Sequence, residues 1–206
     1  MNRRAMTKPK ILRRLCAVLP ALLLAACGPQ SGQPAADAPL AGAAIGGPFT
    51  LTDSAGKTVK WSDFDGKYRI VYFGYTYCPD VCPFDVQKIM QGYALFEEAE
   101  PELAARVVPL FITIDPARDT PAKLGEFTRA FSDRLIGLTG TPEQIDEAAK
   151  AFKIYYEKGQ AGEDGQYLMN HSTATYLMGR KGEPIALLPI DQDAKAVAAE
   201  LEKWVS

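Results

Sequence analysis

From Pro48 onward the chain alternates short continuous apolar runs with stretches whose apolar residues recur every three or four positions. Phe49-Thr50-Leu51 and Thr58-Val59-Lys60 flank Asp53-Ser54-Ala55-Gly56, a turn signal, and together predict a small opening hairpin. Tyr68 to Gly74 is β-branched and aromatic on both faces, which suits a strand covered on both sides. After Pro83 the residues Val86, Ile89, Met90, Tyr93 and Leu95 or Phe96 keep helical spacing as far as Glu100-Pro101. Val107 to Ile114 is a second continuous apolar strand. Thr120-Pro121 opens a helix as N-cap and first-turn proline.

Leu135 to Leu138 is short and strand-like, and Thr141-Pro142-Glu143-Gln144 is a capping-box signal for a helix running to about Phe152. Ile154 to Glu157, Ser172 to Met178 and Pro184 to Pro189 read as three further strands, the last two joined by the turn Gly179-Arg180-Lys181-Gly182. Asp193 caps a final helix with the stripe Val197, Leu201, Trp204 and Val205. This order predicts an α/β sandwich of the thioredoxin type, with a mixed central sheet, flanking helices and an N-terminal β-hairpin.

Composition changes the picture mainly at the amino terminus. Residues 1–26 carry six basic residues, no acid, and the apolar run Leu15 to Ala26, which is shorter than the roughly 20 residues a spanning helix needs. The segment reads as a signal peptide. Its end, Leu24-Ala25-Ala26-Cys27, resembles the lipobox of bacterial lipoproteins, in which the cysteine is lipid-modified and begins the mature chain. Residues 27–47 then read as the lipidated Cys27 and a flexible Gly/Pro/Ala tether, with a reach of roughly 25 Å. The folded domain is expected over residues 48–206. Removing residues 1–26 leaves 17 basic and 25 acidic residues, a formal charge of −8. That balance excludes a nucleic-acid partner and leaves membrane attachment to the lipid.

Of the four cysteines, Cys16 leaves with the signal and Cys27 is consumed by lipid, so Cys78 and Cys82 remain for chemistry. A disulfide between residues so close in sequence closes too small a loop to stabilise the fold much. Pro83 argues against a regular helix through Cys82, so the loop is expected to end there, with the helix beginning at Pro83 and Cys82 at or beside its N-cap. Both sulfurs would then face the positive helix end, which favours thiolate. His171, the one histidine, leads into a strand-like run. By analogy with thioredoxin sheets, that strand starts beside the cysteine loop. Two thiols and an imidazole form a soft, copper-like ligand set, and nothing resembles a four-ligand zinc site. A plain disulfide and a satisfied polar histidine are the structural alternatives. Asp115-Pro116-Ala117-Arg118-Asp119-Thr120 is either a functional loop or a helix opening with an Arg and Asp pair. Met169 is a further soft donor or a packing residue.

The runs Phe73 to Pro83, Ile114 to Thr120 and His171-Ser172 resemble the Sco/SenC family, over about residues 48 to 206. The resemblance implies a thioredoxin-like, membrane-anchored, copper-binding domain, with one copper, Cu(I) or Cu(II), held by Cys78, Cys82 and His171. Its implied role is maturation of the CuA centre of cytochrome c oxidase, as a metallochaperone rather than a catalyst. The partner would be the oxidase's copper-bearing subunit, with other copper chaperones as further partners. The alternative role is a periplasmic thiol-disulfide oxidoreductase that reduces the cysteines of that site through Cys78 and Cys82. Asp115, Asp119 and Tyr77 are candidates for supporting the ligands. Tyr77 stands where many members have His, and Asn170 where many have Asp, which removes a carboxylate that could orient His171. The expected location is the bacterial cell envelope, facing the periplasm.

Overall fold

The computed structural model describes residues 38–206, so the signal segment, Cys27 and the first part of the tether lie outside the described residues. The strands are β1 (Thr50–Asp53), β2 (Thr58–Lys60), β3 (Tyr68–Gly74), β4 (Val107–Thr113), β5 (Ile136–Thr139), β6 (Tyr156–Lys158), β7 (Met169–His171), β8 (Thr175–Met178) and β9 (Pro184–Leu187). The helices are α1 (Val81–Ala99), α2 (Pro101–Ala104), α3 (Pro121–Arg129), α4 (Pro142–Ala151) and α5 (Ala194–Trp204). Seven strands form one sheet in the order β2-β1-β5-β4-β3-β8-β9. At its centre β3, β4 and β5 run parallel, with Tyr72 opposite Phe111 and Phe111 opposite Gly137. Antiparallel pairs complete both sides. This is the expected mixed sheet with its opening hairpin and flanking helices.

The parallel centre is buried because its sequence has no polar face to offer water. Ile70, Val71, Tyr72, Phe73, Leu110, Phe111 and Ile112 are all at most 2% exposed. Helix α1 carries the chain from β3 to β4 and packs on α5 at Gly92, where a Cβ would lie 2.6 Å from Val197. Thr141 accepts from the Gln144 N–H while the Gln144 side chain accepts from the Thr141 N–H, as the capping-box signal predicts. Thr120 and Asp193 likewise cap α3 and α5.

Three boundaries differ from the sequence expectation. Helix α1 begins at Val81, so Pro83 sits within its first turn; the first four N–H groups of a helix have no intrahelical partner, and proline there forfeits no bond. The strand expected from Ser172 to Met178 begins only at Thr175. Ser172 to Ala174 lie in no strand and separate β7, which pairs only with β6 in a two-stranded sheet of its own, from the buried Thr175 to Met178, which joins the main sheet. Residues 38–47, read as tether, lie against the domain: Ala38 is buried, the Leu40 N–H donates to Ile185 O (2.9 Å) and the Gly46 N–H donates to Ala151 O (2.9 Å).

Candidate metal centre

Strand β3 delivers the chain to the cysteine loop through Gly74, where a Cβ would lie 2.9 Å from the Tyr72 ring and 3.1 Å from Phe111. The loop is then fastened from below by Asp119, which is fully buried. The Thr76 N–H donates to Asp119 Oδ2 at 3.0 Å, the Thr76 hydroxyl to Oδ1 at 2.6 Å and the Thr113 hydroxyl to Oδ2 at 2.6 Å. Burial pushes the Asp119 carboxyl pKa up, against the pull of its hydrogen bonds from Thr113 and Thr76. The carboxylate joins the loop to the end of β4, so the loop's position is set by two central strands.

Cys78 is half-buried and Cys82 fully buried, and both are free thiols. The Cys78 N–H donates to Tyr75 O (3.3 Å), and the Cys82 N–H to Cys78 Sγ (3.4 Å). Their acidities are driven apart. Burial pushes the Cys82 thiol up to about 12. Burial is also the largest influence on Cys78 and works in the same direction, but donors from the Cys82 and Asp80 backbone and the Cys82 and Tyr75 side chains together bring it below the ordinary thiol value. Of the two thiols, Cys78 is therefore the first to ionise.

His171 is the last residue of β7, opposite Tyr156 of β6. Its Nε2 lies 3.3 Å from Cys82 Sγ, and its Nδ1 lies 3.0 Å from the Ser172 carbonyl oxygen. A carbonyl only accepts, so the network assigns the proton to Nδ1 and leaves the Nε2 lone pair facing the thiol. Burial lowers the His171 pKa, which keeps the imidazole neutral and ready to ligate. The ring stands edge-on to Tyr75 and Tyr72, with centroids 6.0 and 6.5 Å away. The Tyr72 hydroxyl donates to the buried Asp85 at 3.0 Å.

The fold thus brings His171 against Cys82 and leaves Cys78 beside Cys82, though their sequence numbers span 78 to 171. The donor set suits a soft metal. Among the described residues no three His, Cys, Asp or Glu side chains are set closely enough to hold a metal ion as they stand. Of the supporting candidates, Asp119 holds the cysteine loop, Asp115 bonds to Arg118 and Tyr167, and Tyr77 packs beneath Lys123 and Arg118 at 4.4 and 4.9 Å. Asn170 is exposed, and the partner that orients His171 is the Ser172 carbonyl. Met169 is half-buried and packs against the core. Tyr72, Asp85 and Tyr167 are the neighbours that sequence reading overlooks. Asp85 had a signal, since it lies three residues after Cys82 on the same helix face.

Comparison with known proteins gives the family. A family profile described as SCO1/SenC matches residues 37–206. The protein SenC of Rhodobacter capsulatus is 50% identical over 141 residues, which is 68% of this chain and 62% of SenC, so the match spans less than two thirds of that relative. The crystal structure of Arabidopsis thaliana ScoI with copper bound is 38% identical, covering 78% of this chain and 97% of that one with a TM-score of 0.72. The structure of Bradyrhizobium japonicum ScoI with copper bound is 36% identical, covering 79% and 100% with a TM-score of 0.71. With a profile match over most of its length, three ordered motifs and a thioredoxin-like sheet that brings them together, the chain belongs to the SCO1/SenC family.

Proposed function

We propose that this protein binds copper through Cys78, Cys82 and His171 and serves in assembly of the CuA centre of cytochrome c oxidase. The observation that carries the reading is the approach of His171 Nε2 to Cys82 Sγ at 3.3 Å, with Cys78 Sγ 3.4 Å from the Cys82 amide. Relatives solved with copper bound support the choice of metal. Copper is here a cargo. Two thiolates suit Cu(I), and the imidazole lets the same donors accept Cu(II). The half-exposed Cys78 is the donor from which a partner's thiol would take the metal, while the buried Cys82 and the half-buried His171 hold it from behind. The oxidase's copper-bearing subunit is the proposed recipient, and Cys27, lipid-modified after signal removal, is the proposed membrane anchor on the periplasmic side. Among the described residues no helix is long and apolar enough to cross a membrane.

Metal analysis of the protein purified from residue 38 onward tests this reading. Wild type is expected to hold one copper, Cys78→Ser and Cys82→Ser to lose it, and His171→Ala to keep Cu(I) but bind Cu(II) weakly. Unchanged Cu(II) affinity in His171→Ala would sink the three-ligand assignment.

A thiol-reductase reading is favoured by one observation, the half-exposed Cys78 backed by the buried free thiol of Cys82. In that reaction Cys78 attacks a partner disulfide, one partner sulfur leaves as thiol, and Cys82 then displaces the other. The partner gains two electrons and two protons, and Cys78 and Cys82 form a disulfide. Cys82→Ser would trap the mixed disulfide, and His171→Ala would leave the exchange intact.

A further inference from the structure

The Asp115 to Thr120 segment contributes no donor to the copper reading, yet it holds a nearly buried guanidinium. Arg118 is 16% exposed, and its Nη2 is buried with no partner among the described residues. Burying a charge that is only partly satisfied is unfavourable, so the position calls for an account. The other two nitrogens supply one. Nε donates to Asp115 Oδ2, and Nη1 donates to the Tyr167 carbonyl at 2.9 Å. The guanidinium also lies 3.6 Å from the centre of the Tyr167 ring, whose hydroxyl donates back to Asp115 Oδ1 at 2.9 Å. Three contacts thus join the loop after β4 to Tyr167, two residues before the strand that carries His171.

That strand needs such a fastening. The β6–β7 arm shares no backbone ladder with the seven-stranded sheet, so its placement over the cysteine loop depends on side chains. Lys158 of β6 covers the Tyr167 ring at 3.9 Å, while Tyr75 and Tyr77 of the cysteine loop face the same guanidinium at 5.7 and 4.9 Å. Arg118 therefore stands between the cysteine loop, the β4 loop and the histidine arm, and touches all three. Only a planar fork of donors can bridge Asp115 and a backbone carbonyl while stacking on a ring; a lysine cannot.

We propose that Arg118, with Asp115 and Tyr167, is a latch that positions the β6–β7 arm so that His171 meets Cys82. Its consequence for metal rests on the copper reading above; its consequence for the arm does not. The latch acts chiefly on the third donor, because the cysteine loop, which Arg118 meets only through the Tyr75 and Tyr77 rings, has its own anchor in Asp119. Loosening it should cost the oxidation state that needs the imidazole and spare the one that two thiolates satisfy.

The test uses Arg118→Gln in the folded, metal-free protein and in the copper-loaded one. In hydrogen exchange, the amides of β6 and β7 are expected to exchange at least about 10-fold faster, with β3 and β4 unchanged. Cu(II) affinity is expected to fall about 10- to 100-fold, as for loss of a residue that orients a ligand, with weaker nitrogen hyperfine structure in the Cu(II) spectrum and Cu(I) affinity nearly unchanged. In Arg118→Gln/His171→Ala the first change should add nothing to the second. Arg118→Lys should not rescue. Tyr167→Phe, which removes only the hydroxyl, should move the same readouts less, and carries the test if Arg118→Gln does not fold. Unchanged exchange of the arm, equal loss of Cu(I) and Cu(II), or additivity with His171→Ala overturns the latch. If His171→Ala alone leaves Cu(II) binding intact, the three-ligand reading fails, and exchange of the arm still decides whether the latch exists.

Discussion

The cysteine loop and the histidine arm meet at one site but are held by different means. The loop leaves a central strand, enters a 19-residue helix, and is anchored by a buried carboxylate that accepts three hydrogen bonds. The arm is a pair of three-residue strands outside the main sheet, fastened by side chains around Arg118. Two donors of the site therefore share the rigidity of the core, and the third has a separate and weaker attachment. Under the copper reading proposed above, this arrangement holds the thiols in place and leaves the imidazole as the adjustable contact.

Substitutions can widen or erase that contrast. Phe73→Ala, beneath the loop and fully buried, is expected to destabilise the domain by about 3–5 kcal/mol in denaturant unfolding. Asp119→Ala strands the Thr76 N–H and two hydroxyls and should cost about 1–3 kcal/mol, with loss of copper binding because the thiols are no longer held together. On the arm, Tyr155→Ala at an exposed position should stay within about 0.5 kcal/mol of wild type. Comparable losses at Phe73 and Tyr155 would mean that the arm belongs to the core after all.

The two thiols offer a finer contrast. Because hydrogen-bond donors bring Cys78 below the ordinary thiol value while burial pushes Cys82 up to about 12, alkylation at neutral pH should label Cys78 first. The labelling should begin at lower pH than for an unperturbed cysteine, as mapped by mass spectrometry; equal labelling of both residues would refute the split. The smallest effect concerns His171. Its folded pKa lies below the ordinary 6.5 because of burial, so the unfolded chain binds the proton first as pH falls. The stability this group contributes is present above 6.5 and is lost as pH drops from there toward the folded value. The difference in stability between wild type and His171→Ala should slope in that window and flatten above it.

Much of the fold was legible along the chain. The run Tyr68 to Gly74 has no polar face and could only be a central strand, and Thr141 with Gln144 set a helix start by local hydrogen bonds alone. The start of α1 was misread because the cost of proline was weighed as if Pro83 stood in a helix interior, whereas a first turn has no bond to lose. The late start of β8 was missed because Ser172 to Ala174 run into an apolar strand without a turn signal, and β7 was missed because a three-residue strand carries too little periodicity to be seen. Composition marked residues 38–47 as tether, yet backbone bonds to Ile185 and Ala151 dock them, and no side-chain pattern reports such bonds.

For the site, residue types nominated Cys78, Cys82 and His171 as soft donors, because the chain offers few, and the family resemblance joined them into one ligand set. What the residues could not express is distance. The approach of His171 to Cys82, the role of Ser172 in place of residue 170, the pairing of Tyr72 with Asp85 and the clasp of Arg118 on Tyr167 all join positions on different elements. Such contacts depend on how strands and helices pack, and packing is a property of the whole chain.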